Sequence, residues 1–251
     1  MEEEITRQRE FLNRDVIKYI AMATMLLNHI ANVFLIPGTF SFNLLVNIGY
    51  FTAVTMCYFM VEGYGYTHSK KKYALRLLIF AGISEIPFCL AFTHYGVLQF
   101  QGMNMLWTLF LCFLINLTMD KIKKPWLKAL IIIGLVLASG ISDWPYMATL
   151  FTVFFIWAKD SRKRKFVAYG GAMLVYAAFE LWRDYGWCSM SHIALSALYG
   201  MIAIACSGIC ILFFYNGKRI EKGRTFSKWF FYVFYPAHLL ILGLIRIAAI
   251  K

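Results

Sequence analysis

Charge is scarce in this sequence. Asp, Glu, Lys and Arg make up 15% of its 251 residues, where an ordinary soluble domain carries about 25%. Acidic residues are scarcer still, 13 against 25 Lys and Arg. No Cys-x-x-Cys pair occurs among the six cysteines, at 57, 89, 112, 188, 206 and 210, and five of them fall inside apolar runs. That argues against a zinc site or a disulfide framework and reads the cysteines as small hydrophobes. A Walker loop, a G-x-G-x-x-G turn and a G-x-S-x-G elbow are all missing, which argues against ATP-driven transport by this chain alone. The opening Met1-Glu2-Glu3-Glu4 is acidic and the first apolar run has no small-residue cleavage site, so a cleavable signal is not expected.

What the chain has in abundance is apolar surface: 61% of its residues are hydrophobic. A soluble fold of this length leaves too much area exposed to hide that fraction. Lipid removes the difficulty, and a spanning helix needs about 20 mostly apolar residues. Nine apolar segments can be drawn, at 16–36, 42–62, 73–93, 102–119, 126–140, 143–158, 166–182, 192–214 and 229–250. The connections alternate between basic and uncharged, so that 22 of the 25 Lys and Arg fall on one side. Short basic loops stay in the cytoplasm. The pattern predicts an all-α, polytopic membrane bundle of about nine transmembrane helices with a cytoplasmic N-terminus. It also predicts a single membrane domain over 1–251, with 1–15 as a cytoplasmic tail, in a cell inner or plasma membrane. The net charge of +12 is then topology with lipid contact, and nucleic acid is not an expected partner.

Ionisable groups inside such segments are expensive, roughly 2.5–3.5 kcal/mol for Asp, Lys or Arg at a helix centre, and mark functional candidates. His29 lies eleven residues beyond Lys18, about 16 Å along a helix, near mid-membrane. It is either a proton-transfer group or a histidine bonded to a neighbouring helix. His238 follows Tyr232, Tyr235 and Pro236, and a proline at that place predicts a kink beside a polar pocket or a tyrosine–histidine packing cluster. Glu85, in Ser84-Glu85-Ile86-Pro87, is a carboxylate beside an expected helix break, suited to orienting a histidine, binding an amine or pairing with a cation. Asp143 sits in a turn before Trp144-Pro145. Glu180 and Arg183 are spaced to pair with each other on one helix. Among Lys70, Lys71, Lys72 and Arg76 the lysines fit lipid headgroups. Arg76 lies inside the apolar run, where its planar fork suits phosphate.

A set of short elements carries a family resemblance. They are Met25-Leu26-Leu27-Asn28-His29-Ile30, Tyr58-Phe59-Met60-Val61-Glu62-Gly63-Tyr64 with Thr67-His68, Tyr73-Ala74-Leu75-Arg76 running into Ser84-Glu85-Ile86-Pro87-Phe88, Asn104-Met105-Leu106-Trp107-Thr108, and Phe231-Tyr232-Val233-Phe234-Tyr235-Pro236-Ala237-His238-Leu239. Together they resemble the TraX family, the conjugative F-pilin acetylase and its relatives, over about Lys18 to Leu242. The resemblance implies transfer of an acetyl group from acetyl-CoA, with no metal, to an amine or hydroxyl of a membrane-associated acceptor such as a pilin-like protein, a glycan or a lipid. Lys18-x10-His29 also resembles the basic-x10-His element of the wider integral-membrane acyltransferases, which implies that His29 is catalytic. In such a mechanism His238 and Glu85 are expected to position or polarise the reacting groups. Arg76 and Lys72 are expected near the phosphates of acetyl-CoA, and Tyr232, Tyr235, Asp143 and Asn104 toward the substrate. The aspartate usual before the first-helix histidine is Asn28 here. Two other classes remain open, a small secondary transporter and a non-catalytic assembly factor of a conjugation-like system.

Overall fold

A computed structural model describes residues 11–93 and 98–249. Residues 1–10 of the expected tail lie outside the described residues, as does Lys251. Nine α-helices are present among the described residues: α1 (Arg14–Phe34), α2 (Phe40–Tyr66), α3 (Lys70–Phe92), α4 (Met105–Lys121), α5 (Pro125–Ala138), α6 (Met147–Ala158), α7 (Arg162–Asp184), α8 (Met190–Ile209) and α9 (Arg224–Ala249). Each apolar segment of the sequence finds one of them. A 3-10 turn, Ser139–Ile141, follows α5, and a π turn, Cys210–Phe214, extends α8.

Among the described residues, five helices are long and apolar enough to cross a membrane: α1, α2, α3, α9, and α8 with its π extension. The apolar stretches Pro125–Ile141 and Met147–Ala158 are shorter. Helix α7 has the length, 23 residues, but opens on Arg162-Lys163-Arg164-Lys165 and closes on Glu180, Arg183 and Asp184. The chain is thus a multi-pass helical membrane protein.

Local chemistry sets where the helices start. The first N–H groups of a helix have no internal partner, and short polar side chains supply one. Asn13 accepts from the N–H groups of Asp15 and Val16, Ser69 from Lys72, Asn104 from Leu106, Ser161 from Arg164 and Ser189 from His192. Proline at the first position opens α5. Helix α6 begins four residues later than the apolar pattern suggests. Trp144 and Tyr146 both take positive φ, 60° and 63°, around Pro145, so Asp143 belongs to the connection and not to a helix. Pro87 and Pro236 do not end their helices: α3 continues to Phe92 and α9 to Ala249.

The chain forms two compact units, and the division falls inside α2 and inside α9. Unit 1 comprises the chain up to Thr55 together with Asp160–Phe231. In it a polar seam joins α1 to α2. Thr24 and Thr52 hydroxyls meet at 2.7 Å, and the Asn28 amide donates to the Val46 carbonyl at 2.8 Å. Gly49 makes room for that amide, since a side chain there would overlap Asn28. Helices α7 and α8 pack through Tyr176, whose ring lies on Gly200, and Tyr169, which lies on Gly208. Thr55 and Tyr169 both reach the Ser207 hydroxyl, at 2.8 and 3.4 Å. The expected pair between Glu180 and Arg183 is present at 2.7 Å, with Glu180 2% exposed.

Unit 2 comprises Met56–Lys159 and the chain from Tyr232. Its centre is α4, whose Cys112, Phe113 and Ile115 are buried with Phe151 and Phe155 of α6. At one end the Tyr64 hydroxyl donates to Asp120 at 3.0 Å, and the Lys70 ammonium stands 3.7 Å over the Tyr64 ring. At the other, Arg246 of α9 donates to the Leu90 carbonyl at 2.9 Å and so caps the last turn of α3.

Inserting a methyl group into a filled contact costs about 1–3 kcal/mol. Gly200→Ala in unit 1 is therefore expected to lower the thermal midpoint of the detergent-purified protein by several degrees. Gly170→Ala, where a new Cβ meets nothing within 4 Å, is expected to leave it unchanged.

Candidate functional site

The polar residues of unit 2 converge where the first turn of α4 meets α3 and α9. Asn104 is the node. It is 0% exposed and caps α4 through its side-chain oxygen, which accepts from the Leu106 N–H at 3.0 Å. Its amide nitrogen donates in two directions, to the Ala81 carbonyl at 2.8 Å and to Glu85 Oε2 at 2.6 Å. The Asn104 backbone N–H adds a third bond, to the same carboxylate oxygen at 3.3 Å. Glu85 is thus a carboxylate held at the positive end of a helix, where a negative charge is favoured. Its other oxygen lies 3.9 Å from the Cys89 thiol, one turn further along α3.

Tyr235 reaches the same turn from α9. Its hydroxyl accepts from the Met105 N–H at 3.1 Å. One turn on, His238 is 6% exposed. Its Nδ1 meets the Phe234 carbonyl at 2.7 Å. A carbonyl only accepts, so Nδ1 carries the proton and Nε2 is the basic nitrogen. The ring is fixed by Phe234, stacked at 4.7 Å, and by Tyr235, edge-on at 5.8 Å. Sequence reasoning offered a kinked pocket or a tyrosine–histidine cluster here, and the cluster is present.

Asp143 is tied to the same end of unit 2 through backbone. Its N–H donates to the Met103 carbonyl at 2.7 Å, and its carbonyl accepts from the Thr108 hydroxyl at 2.7 Å. Met103 in turn donates to Ile141 at 2.8 Å. Gly102, at φ 94°, permits this lacing, because a Cβ there would stand 3.0 Å from the Ile141 carbonyl. Burial pushes the Asp143 carboxyl up to about 6, so this turn residue changes charge close to neutral pH.

The other sequence candidates lie elsewhere. Tyr232 packs on Phe80 of α3 at 4.9 Å. Lys72 is exposed in the first turn of α3. Arg76 lies nine residues before Glu85, about 14 Å along the helix. Its guanidinium stands 5.7 Å from the Tyr73 ring, and its buried Nε has no hydrogen-bond partner among the described residues. His29 belongs to unit 1, where it is 6% exposed on α1. Its neighbour Asn28 is explained by packing. The Asn28 amide donates to a main-chain carbonyl of α2, which a carboxylate cannot do.

Thr108, Cys89 and Ala81 were not legible as site residues from sequence. Their roles depend on a carbonyl or a thiol meeting a partner on another element, and no spacing signals that. Asn104 carried a signal in its position immediately before an apolar run, the place of a helix cap.

Comparisons with known proteins give one consistent result. The chain matches the family described as TraX protein over residues 13–246. It is similar to the "Probable fimbrial assembly protein FimC, serogroup H1" of Dichelobacter nodosus, at 32% identity over 239 residues, covering 90% of this chain and 92% of that protein. No solved structure gives a significant match. A match running from the cap of α1 to the Arg246 clamp takes in both units and every residue of the polar array, and the chain belongs to the TraX family.

Proposed function

We propose that this protein is a membrane-embedded acetyltransferase of a pilus- or conjugation-related system, moving an acetyl group from cytosolic acetyl-CoA to an amine or hydroxyl of a membrane-associated or extracytoplasmic acceptor. The observation that carries the reading is the array Glu85–Asn104–Tyr235–His238, four polar side chains fixed among apolar helices. Family membership and a relative named for fimbrial assembly support the setting. All nine helices cross the bilayer in this reading, with the N-terminus inside.

The chemistry asked of the residues is limited. The acceptor nitrogen or oxygen attacks the thioester carbonyl, the C–S bond breaks, and the acceptor's proton ends on the departing thiolate. A histidine carries that proton between them. The resemblance gives this role to His29, in unit 1, and within the array of unit 2 the histidine is His238, whose Nδ1–H leaves Nε2 as the basic nitrogen. Tyr235 donates to the oxyanion that forms on the carbonyl. Glu85 orients the acceptor amine or hydroxyl. Arg76, with an unpaired N–H, binds a phosphate of the cosubstrate together with Lys72, and about 14 Å of α3 between Arg76 and Glu85 is a separation that an extended pantetheine arm bridges.

Removal of a general base costs roughly 10²–10⁴-fold in rate. Native-host membranes given acetyl-CoA labelled in its acetyl group are expected to transfer label to one acceptor fraction. His29→Ala and His238→Ala are each expected to reduce that transfer at least a hundredfold while still inserting. Normal transfer by His29→Ala alone would move the base role to His238. Normal transfer by both would refute acid–base catalysis by these histidines and favour the assembly-factor reading, and no labelled fraction in wild-type membranes would leave the transporter reading. The topology has its own test: a reporter enzyme active only outside the cytoplasm is expected to be active when fused after residue 249 and inactive when fused to the α7 start.

A further inference from the structure

The connection between α8 and α9 in unit 1 is unusual for a basic membrane-protein loop. Four cations, Lys218, Arg219, Lys222 and Arg224, stand within seven residues, with Glu221 the one acid among them, and all five are exposed. Charges of one sign repel, and such a loop is expected to extend and stay mobile. Here it is tied down along its length. The segment before α1 runs beside it: the Leu12 N–H donates to the Phe214 carbonyl, Asn216 donates to Leu12 and Arg14 donates to Lys218, each at 2.9 Å. Gly217 and Gly223, at φ 71° and 79°, turn the chain at its two ends. The Arg224 guanidinium accounts for the Ile220 carbonyl at 2.9 Å.

The central tie is Asp15, a carboxylate 2% exposed. One oxygen accepts from the Ile220 N–H at 2.9 Å and the other from the Ser227 hydroxyl at 2.7 Å. A carboxylate surrounded by cations in a flexible loop would ordinarily be drawn into an ion pair with one of them. This one gives both oxygens to the Ile220 N–H and the Ser227 hydroxyl, so the backbone that carries the four cations is held in place and their charge is left for another partner. A pinned backbone lowers the ordering cost of recognising a phosphate.

We propose that the pinned 216–224 loop is a binding surface for phosphate esters on the face that the positive-inside pattern assigns to the cytoplasm. Two sources present that chemistry there, the phosphates of a soluble nucleotide and the headgroups of anionic lipids.

The test uses the full chain in lipid nanodiscs. In one arm, discs of phosphatidylcholine are titrated with adenosine 3′,5′-bisphosphate by calorimetry. In the other, retention of phosphatidylglycerol is counted by native mass spectrometry. Wild type is expected to bind at least one probe, and binding of the soluble one identifies a nucleotide phosphate while retention of the lipid alone identifies a headgroup. The triple variant Lys218→Gln/Arg219→Gln/Lys222→Gln is expected to lose at least tenfold in affinity. Asp15→Asn is decisive because the two explanations differ in sign. It removes a negative charge, so attraction by bulk charge alone predicts tighter binding, whereas a surface that depends on the pinned loop loses about fivefold. Ser227→Ala breaks one of the two ties with no change of charge and is expected to lose at least twofold, which keeps the test intact if Asp15→Asn does not fold. Failure of wild type to bind either probe, unchanged binding by the triple variant, or tighter binding by Asp15→Asn would overturn the proposal.

Discussion

A polar group in hydrocarbon has no water to turn to, and an unsatisfied one costs several kcal/mol. The arrangement of this protein follows from that constraint. With 15% charged residues in 251, charge is scarce, and the structure ties several of the polar side chains to another element. Thr24 meets Thr52, Asn28 meets Val46, Thr55 meets Ser207, and Asn104 meets both Ala81 and Glu85. Each such bond is modest, about 0.6 kcal/mol on average where interhelical bonds have been measured in a membrane. Their larger effect is on specificity. A helix that slides or rotates strands a donor or an acceptor, so register is set by polar contacts while apolar side chains supply the bulk.

Asn104 shows how one residue serves fold and site together. Its oxygen caps α4 and its amide ties α3 to that cap through Ala81 and Glu85. Glu85 is bound to the helix start, its Oε2 accepting from both the side-chain amide and the backbone N–H of Asn104. Tyr235 then seats α9 on the same turn, and His238 follows one turn later with its tautomer set by Phe234. A donor hydroxyl, a basic nitrogen and an oriented carboxylate on rigid helices are the parts that group transfer needs.

Much of this was legible in the sequence, and the failures have physical causes. Among the described residues each apolar segment falls on a helix because hydrophobic length is a strong signal in a membrane protein. Five of these helices are long and apolar enough to cross; α4, α5 and α6 are shorter, and the 23 residues of α7 carry charges at both ends. Pro87 read as a break, yet its helix runs on, as happens in membrane helices where neighbours satisfy the freed backbone groups. The i, i+3 pair of Glu180 and Arg183 was readable from spacing alone. The contact of Asn104 with Glu85 was not, since nineteen residues and a turn separate them. Asn28 read as a departure from an acidic position, and only the Val46 carbonyl facing it shows why an amide belongs there. Arg246 counted as one of three cations away from the basic loops, and its capping of α3 at Leu90 depends on a helix crossing that no sequence pattern encodes.

The claim that the site depends on the Asn104 amide is tested most directly by the thermal midpoint of Asn104→Asp at pH 7. The substitution keeps size and shape but replaces two donated bonds with a carboxylate facing the Ala81 carbonyl and Glu85. Leaving buried groups in such conflict costs about 1–3 kcal/mol each, and more when they are charged. The account predicts a large fall in midpoint, partly recovered by the added substitution Glu85→Gln, which restores a donor to the pair. A midpoint equal to that of the wild type would contradict it.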